Sequence, residues 1–427
     1  MRCGRIGVPQ AVEKQRIAGE PGECQAINTP DSNAKVTGWL VAIAVAAFLL
    51  RVYGISSLPY NYDEPHNVEI ISSIDFSEFD FPLRSFQHPP LSVYLLKSGT
   101  LVFGENNFGF RFMNALVGAL SVLLIFVLAR RGFDDEKAGL LAALLLATNR
   151  FHIGWSRLIN QEVLYLALVI VTLAVFWRAW RRGAGWPLVG VAAALAVLAK
   201  ELAVLLIPAL GIFLLTSAKG RAVLRRKEVW ASLAIVAVVA VALLTYALRH
   251  PARDEMNLGV NLYRLQSIGI SVEPLEFFFA PSTTHDAPLV DAWTYPSMFW
   301  PTGVILLAGV VASIRRWKDD FTRLMLIVFG FYFLCFTVVG TDMSRVPFHQ
   351  GEFWWVDVAL IPAVVLTARA LVELKDHAAV GRKLFWAVPV YLAANSVFFV
   401  AVTRNGPVLR LLGVTYADVV DRLAFLF

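Results

Sequence analysis

Two adjacent acidic residues, Asp63 and Glu64, follow the first long apolar segment of this chain. A carboxylate held at a membrane surface can take a proton from an acceptor hydroxyl, which makes Asp63 a candidate general base. The next residue, Pro65, suits the first position of a helix, and an acidic residue before it suits the positive end of the helix dipole. The pair is therefore a helix start, a catalytic group or both, since a helix start holds a carboxylate rigidly.

Basic residues that could meet a phosphate stand near the ends of other apolar segments. His88 precedes two prolines, and is either an exposed residue of a turn or a donor to a lipid phosphate. Arg111 opens an apolar segment, and its ordinary interpretation is a side chain that snorkels to the interface. A phosphate contact is the alternative. Lys200 is either the tip of a hairpin that is self-paired with Glu201, or a cation beside a developing phosphate charge.

Glu162 enters an otherwise apolar segment, where an ionisable residue is a functional candidate. Asn160 can cap that helix, which would leave Glu162 in the first turn, where the dipole favours an acid. Through oxygen ligands, Glu162 and Asp63 could together bind a divalent cation. No other cofactor is indicated, because the chain has no glycine-rich phosphate loop that follows a strand.

The composition is that of a membrane protein. Of the 427 residues, 57% are hydrophobic and 16% are charged, whereas a soluble domain has about 25% charged residues. The apolar residues form blocks of about 17–22, the length that crosses a bilayer core. The chain is predicted to be all-α, a polytopic membrane helical bundle. The net charge of +6 lies in short runs between apolar blocks, as topology signals do, so no nucleic-acid partner is expected.

The lysines and arginines also predict the topology. If the short apolar stretch 91–103 lies in the interface, every dense basic run falls on the cytoplasmic side. This arrangement predicts about 11 transmembrane helices, with the N-terminus cytoplasmic and the C-terminus outside, in a bacterial or archaeal plasma membrane. The predicted crossings are 38–53, 110–129, 138–149, 160–178, 187–199, 202–217, 229–248, 297–314, 323–340, 355–371 and 384–402.

Two regions follow from this topology. Residues 1–36 are polar and are predicted to be a disordered cytoplasmic tail, and residues 37–427 form the membrane domain. Its outer side receives interfacial helices within the loop 54–109, and the loops 249–296 and 341–354. These outer loops are long enough to build a site, unlike the short inner ones. In 341–354, Arg345 and His349 add a cation and a donor at headgroup depth.

Taken in order, these features resemble the GT-C-type membrane glycosyltransferases of the protein O-mannosyltransferase and aminoarabinose-transferase group, which is like glycosyltransferase family 39. The resemblance covers about residues 38–215 and is mainly one of hydropathy beyond them. The shared marks are Asp63-Glu64, His88-Pro89-Pro90-Leu91, Phe110-Arg111-Phe112, the pair Ser156-Arg157 with Glu162, and Ala199-Lys200.

The resemblance implies a sugar that is carried on a polyprenyl phosphate and transferred to an acceptor hydroxyl outside the membrane. It implies that Asp63 is the base, and that Glu64 and Glu162 orient the site or bind a metal. It also places His88, Lys200 and Arg111 or Arg157 at the lipid phosphate, a set to which we add Arg345 and His349. The implied partners are the polyprenyl-phosphate-linked sugar donor, membrane lipids and an acceptor that is a protein, a lipid or a polysaccharide.

Two other classes of function are compatible with a polytopic bundle. A lipid or solute transporter would place polar residues near the middle of the membrane and break helices there. In this chain the acidic residues cluster at helix ends, which favours the enzyme. A noncatalytic membrane assembly factor is the other alternative, and it predicts that replacing Asp63 by Asn leaves function unchanged.

Overall fold

The computed structural model describes residues 30–58, 60, 64–74, 89–249, 273–279, 300–338, 357–377 and 379–402. Within these ranges every regular element is helical. The α-helices are α1 Pro30–Val52, α2 Glu64–Ser73, α3 Leu91–Phe103, α4 Asn107–Phe133, α5 Glu136–Ala147, α6 Arg150–Trp155, α7 Glu162–Arg182, α8 Trp186–Ala199, α9 Leu206–Leu215, α10 Ala218–Val223, α11 Lys227–Arg249, α12 Glu273–Phe279, α13 Trp300–Ile314, α14 Asp320–Val338, α15 Leu360–His377 and α16 Ala379–Val402.

Each predicted crossing coincides with a helix, because a chain in lipid satisfies its backbone groups most simply within a helix. The bounds differ at several ends. α1 begins at Pro30 rather than at 38, so residues 30–36 of the predicted tail are helical, and residues 1–29 lie outside the described ranges. By length and composition, α1, α4, α7, α11 and α14 can each cross a membrane. The count of 11 crossings stays a prediction.

α2 and α3 lie in the first predicted outer loop, 54–109, where interfacial helices are expected. α3 packs closely on α4, because a Cβ added at Gly99 would lie 2.5 Å from the carbonyl oxygen of Gly109. Ile71 of α2 and Leu96 of α3 are buried in one apolar cluster with the start of α4. These contacts hold the first outer loop against the end of α4.

The helices of the bundle differ in how much of their surface they bury. A Cβ added at Gly190 of α8 would lie 2.6 Å from the Cα atom of Ser232 in α11. Gly309 of α13 has the same relation to Thr367 of α15, also at 2.6 Å. By contrast, only 17% of the candidate spans of α1 and α11 is buried. Those two helices present most of their surface outward, as helices in contact with lipid do.

Ion pairs join the basic segments that the charge pattern predicts on the inner side. Nη1 of Arg369 lies 2.9 Å from a carboxylate oxygen of Asp135, and Nη1 of Arg316 lies 2.6 Å from one of Glu373. Arg369 also contacts Glu373. Asp135 follows α4 and Arg316 follows α13, while Arg369 and Glu373 lie in the second half of α15. The predicted inner segments therefore meet at one end of the bundle.

Candidate active site

A buried ion pair between Glu64 and Arg111 joins the start of α2 to α4. Nε and Nη2 of Arg111 each donate to one carboxylate oxygen of Glu64 at 2.9 Å. Nη1 donates to the carbonyl oxygens of Ile55 at 2.9 Å and Leu58 at 2.8 Å. Two-pronged pairs of this kind are among the stronger hydrogen-bonded contacts in proteins. The pair therefore fixes the residue that follows Asp63 in the chain.

Arg111 does not snorkel, and that interpretation is wrong. Its side chain is 0% exposed and that of Glu64 is 2% exposed. Four of the five N–H groups of a guanidinium serve protein acceptors here. The ring of Tyr60 lies over the guanidinium, 5.3 Å away, so Arg111 contacts residues on both sides of Asp63 in sequence. This geometry favours a positioning role for Arg111 over the predicted phosphate contact.

The turn between α6 and α7 is fastened to the same pair. Oε1 of Glu64 accepts a hydrogen bond from the backbone N–H of Ile159 at 2.8 Å. Nδ2 of Asn67 donates to the Ile159 carbonyl at 2.8 Å, and Nδ2 of Asn114 donates to the Asn160 carbonyl at 2.9 Å. The predicted outer segments 54–109 and 150–159 therefore meet, and they bring the surroundings of Glu64 and Arg157 together.

Arg157 uses less of its hydrogen-bonding capacity than Arg111 does. It is 3% exposed, and its Nη1 donates to the Leu50 carbonyl at 3.2 Å. Its Nε has no hydrogen-bond partner among the residues that the structure describes. Burial, and secondly the charge of Arg111, lower the pKa of Arg157 to about 10. A buried cation with an unused donor is suited to bind an anion.

The position of Arg157 depends on a buried arginine that the sequence interpretation overlooked. Arg51, at the end of α1, lies with Nη2 2.9 Å from Nδ1 of His152, and its Nε donates to Oγ of Ser156 at 3.3 Å. The Arg51 side chain also donates to its own helix, at the Ala47 carbonyl. α1 is thereby fixed to the turn that immediately precedes Arg157.

A second buried ion pair joins α7 to the segment after α8. Nζ of Lys200 lies 2.9 Å from Oε1 of Glu162, and the side chains are 2% and 7% exposed. The N-cap of α7 is Gln161 rather than the predicted Asn160, although Oδ1 of Asn160 accepts from the Glu162 N–H at 3.1 Å. Lys200 is thus paired across the bundle rather than only with Glu201. Burial alone would lower the pKa of Lys200, but the carboxylates of Glu162 and Asp357 outweigh it and raise that pKa.

Asp357 belongs to this cluster and was not predicted. It lies just before α15, is 0% exposed, and interacts electrostatically with Lys200 and Glu162. Neither of its carboxylate oxygens has a hydrogen-bond partner among the described residues, and the same holds for Oε2 of Glu162. The signal was available, since Asp357 is an acidic residue at the start of an apolar segment, as Glu162 is.

Four predicted site residues, Asp63, His88, Arg345 and His349, lie outside the residues that the structure describes, so their roles stay predictions. The same holds for a cation between Asp63 and Glu162. In the described part of the chain, Glu162 is paired with an ammonium, and no group of three or more His, Cys, Asp and Glu residues could hold a metal ion. That pairing does not fit a metal ligand.

The sequence carries a partial match to known proteins. Residues 87–246 match the family described as dolichyl-phosphate-mannose-protein mannosyltransferase. An undecaprenyl phosphate-alpha-4-amino-4-deoxy-L-arabinose arabinosyl transferase of Pseudomonas aeruginosa is 35% identical over 134 residues, which are 30% of this chain and 24% of that protein. The chain spans about a quarter of the length of the curated relatives it matches.

The fold matches solved structures over most of the chain. ArnT from Cupriavidus metallidurans bound to undecaprenyl phosphate superposes with a TM-score of 0.60 at 17% identity, over 86% of this chain and 70% of that one. The Archaeoglobus fulgidus oligosaccharyltransferase gives 0.53 at 16% identity, over 90% and 55%. The chain has the fold of the GT-C-type membrane glycosyltransferases, which confirms the resemblance seen in the sequence. It is an integral membrane protein.

Proposed function

We propose that the protein transfers a sugar from a polyprenyl-phosphate carrier to an acceptor hydroxyl on the outer side of the membrane. The observation that carries this proposal is the buried contact of Glu64 with Arg111 and with the N–H of Ile159. Through it, the residue bonded to Asp63 is fixed to the turn that contains Arg157. The likeness in fold to ArnT bound to undecaprenyl phosphate supports the same conclusion.

The proposed reaction is a displacement at the anomeric carbon of the sugar. The bond from that carbon to the phosphate oxygen breaks, and a bond to the acceptor oxygen forms. The proton of the acceptor hydroxyl passes to the Asp63 carboxylate, which acts as general base. Polyprenyl phosphate leaves and keeps the electron pair of the broken bond, so negative charge develops on the phosphate.

The buried cations suit that leaving group. A fixed cation in a site shielded from water stabilises developing charge more than an exposed one does. We assign this role to Arg157, whose Nε has no partner among the described residues, and to Lys200, which Glu162 orients. His88, Arg345 and His349 are proposed as further contacts to the lipid phosphate or the sugar.

The side of the membrane follows from the charge pattern. The segments that contain Glu64, Ile159 and Lys200 lie at the ends of helices predicted to face outward, while the basic segments meet at the other end. With the N-terminus cytoplasmic, the C-terminus outside and 11 crossings, the site opens to the outer side. The acceptor then approaches from that side, and the lipid carrier enters between helices.

Release of free polyprenyl phosphate tests the proposal. Purified protein is incubated with a panel of polyprenyl-phosphate sugars and crude envelope acceptors, and the released lipid phosphate is measured. Wild type is expected to release it and Asp63→Asn is not. Asp134→Asn is the matched control, because Asp134 lies at the opposite end of α4, where its exposed carboxylate pairs with the half-exposed Arg181.

Two results would count against the proposal. Release by Asp63→Asn at the wild-type rate would remove Asp63 from the mechanism. Absence of release from every donor, with wild type and control alike, would favour transport or assembly instead. The same panel identifies the sugar, since only donors that the enzyme accepts give free lipid phosphate.

A further inference from the structure

Asp357 has the features of a ligand-binding residue in the described part of the chain. Its carboxylate is fully buried, yet neither oxygen is hydrogen-bonded among the described residues. Buried polar groups in proteins are nearly always satisfied, so an exception calls for an explanation.

We propose that Asp357, together with Oε2 of Glu162, binds the sugar of the lipid-linked donor and helps to determine which sugar is transferred. This inference rests on the proposed function. A carboxyl group offers acceptor oxygens whether or not it is ionised, and it carries no positive charge that would attract a phosphate. Its ligand must therefore bring hydrogen-bond donors, and the hydroxyl or amino groups of a sugar are such donors.

The neighbouring charges divide the site into two parts. Lys200 and Arg157 are cations suited to the phosphate, whereas Asp357 and Glu162 leave three carboxylate oxygens free among the described residues. All of these residues stand at helix ends rather than in mid-helix: Glu162 begins α7, Lys200 follows α8, and Asp357 precedes α15. A donor that reaches this end of the bundle can therefore meet the cations and the carboxylates together.

The alternative is that Asp357 serves the fold, and the two roles predict opposite effects on stability. Glu162 and Asp357 share a single ammonium, that of Lys200, so the cluster carries one unbalanced negative charge if all three groups are ionised. An unbalanced buried charge destabilises a protein. Replacing Asp357 should therefore leave the stability of the protein unchanged or increase it. This is the behaviour of a residue that is retained for function at a cost in stability.

Binding of three lipids separates the roles. Undecaprenyl phosphate, undecaprenyl-phosphate mannose and undecaprenyl-phosphate 4-amino-4-deoxy-L-arabinose are titrated into wild type, Asp357→Asn, Asp357→Leu and the control Asp134→Asn, without acceptor. Whichever sugar-bearing lipid wild type binds more tightly is then compared with the bare lipid phosphate. We expect Asp357→Asn to weaken binding of the sugar-bearing lipid about 10- to 100-fold, the range for hydrogen bonds to a charged group.

The bare lipid phosphate is expected to bind Asp357→Asn at least as tightly as it binds wild type, because the substitution removes an acidic group beside Lys200 and no proposed phosphate contact. The melting temperature is expected to be unchanged or higher. An equal loss for both lipids, no loss for either, or a lower melting temperature in both Asp357 variants would overturn the inference. If wild type binds none of the lipids, the proposed function itself fails, which is a different result.

Discussion

The Glu64–Arg111 pair holds the start of α2 against α4, and Arg111→Met removes it. The variant keeps the length and apolar stem of the side chain but removes the guanidinium. The Glu64 carboxylate then keeps the N–H of Ile159 as a partner, and the carbonyls of Ile55 and Leu58 lose their donor.

The cost follows from the burial of the pair. Removing one partner of a buried ion pair costs about 3–5 kcal/mol, because the other charge is left uncompensated. That cost changes the folding equilibrium constant by about two to three and a half powers of ten. An exposed pair contributes only about 0–1 kcal/mol. Arg181, 49% exposed and paired with Asp134, therefore gives the matched control Arg181→Met.

Reversible unfolding in mixed detergent micelles, followed by tryptophan fluorescence, measures the difference. The double variant Glu64→Gln with Arg111→Met should recover part of the lost free energy, since it no longer buries an unpaired carboxylate. A loss in Arg111→Met no larger than that in Arg181→Met would refute the argument that this pair positions the site. Transfer activity, measured where each variant is folded, should fall with the same ranking.

Three further outcomes are expected. Glu162→Gln should lower transfer severely, and near-normal turnover would reduce Glu162 to a helix-start residue. Lys200→Met leaves Glu162 and Asp357 buried without their ammonium, whereas in Glu162→Gln the Lys200 side chain still faces Asp357. Thermal melts should therefore show Lys200→Met to be the less stable variant, and the reverse order would contradict the assignment of the charges. Gly190→Ala should destabilise the bundle, because the added Cβ would push α8 away from α11. Gly211→Ala, with no atom within 4 Å of the added Cβ, should be neutral or stabilising by about 0.5–1 kcal/mol. Equal melting temperatures for these two variants would argue against close packing at Gly190.

The helices were predictable from the sequence because an apolar block of sufficient length has few alternatives in lipid. The contact of Asn160 with the start of α7 was also predictable to within one residue of the N-cap, since such contacts reach only two or three positions. In the first predicted outer loop, the acid before Pro65 indicated the start of α2, and the apolar stretch 91–103 indicated α3. Local patterns therefore gave most of the elements and the ends of several of them.

The pairing of the charged residues was not predictable in the same way. Glu64 and Arg111 lie 47 positions apart, and Glu162 and Lys200 lie 38 apart. Which acid meets which base depends on how the helices pack, and no local pattern encodes that. For this reason Arg111 was interpreted as a snorkelling residue. Asp357 was overlooked because it falls inside the predicted crossing 355–371, just beyond the outer loop 341–354.

The order of the charges along the chain has a consequence for how the protein enters the membrane. In both buried pairs the acid is synthesised before the base: Glu64 precedes Arg111, and Glu162 precedes Lys200. An arginine or lysine costs about 2.5–3.5 kcal/mol at the centre of an inserting helix and less near its end, and a partner that has already emerged lowers that cost further. Each basic residue thus reaches the translocon after its counter-ion.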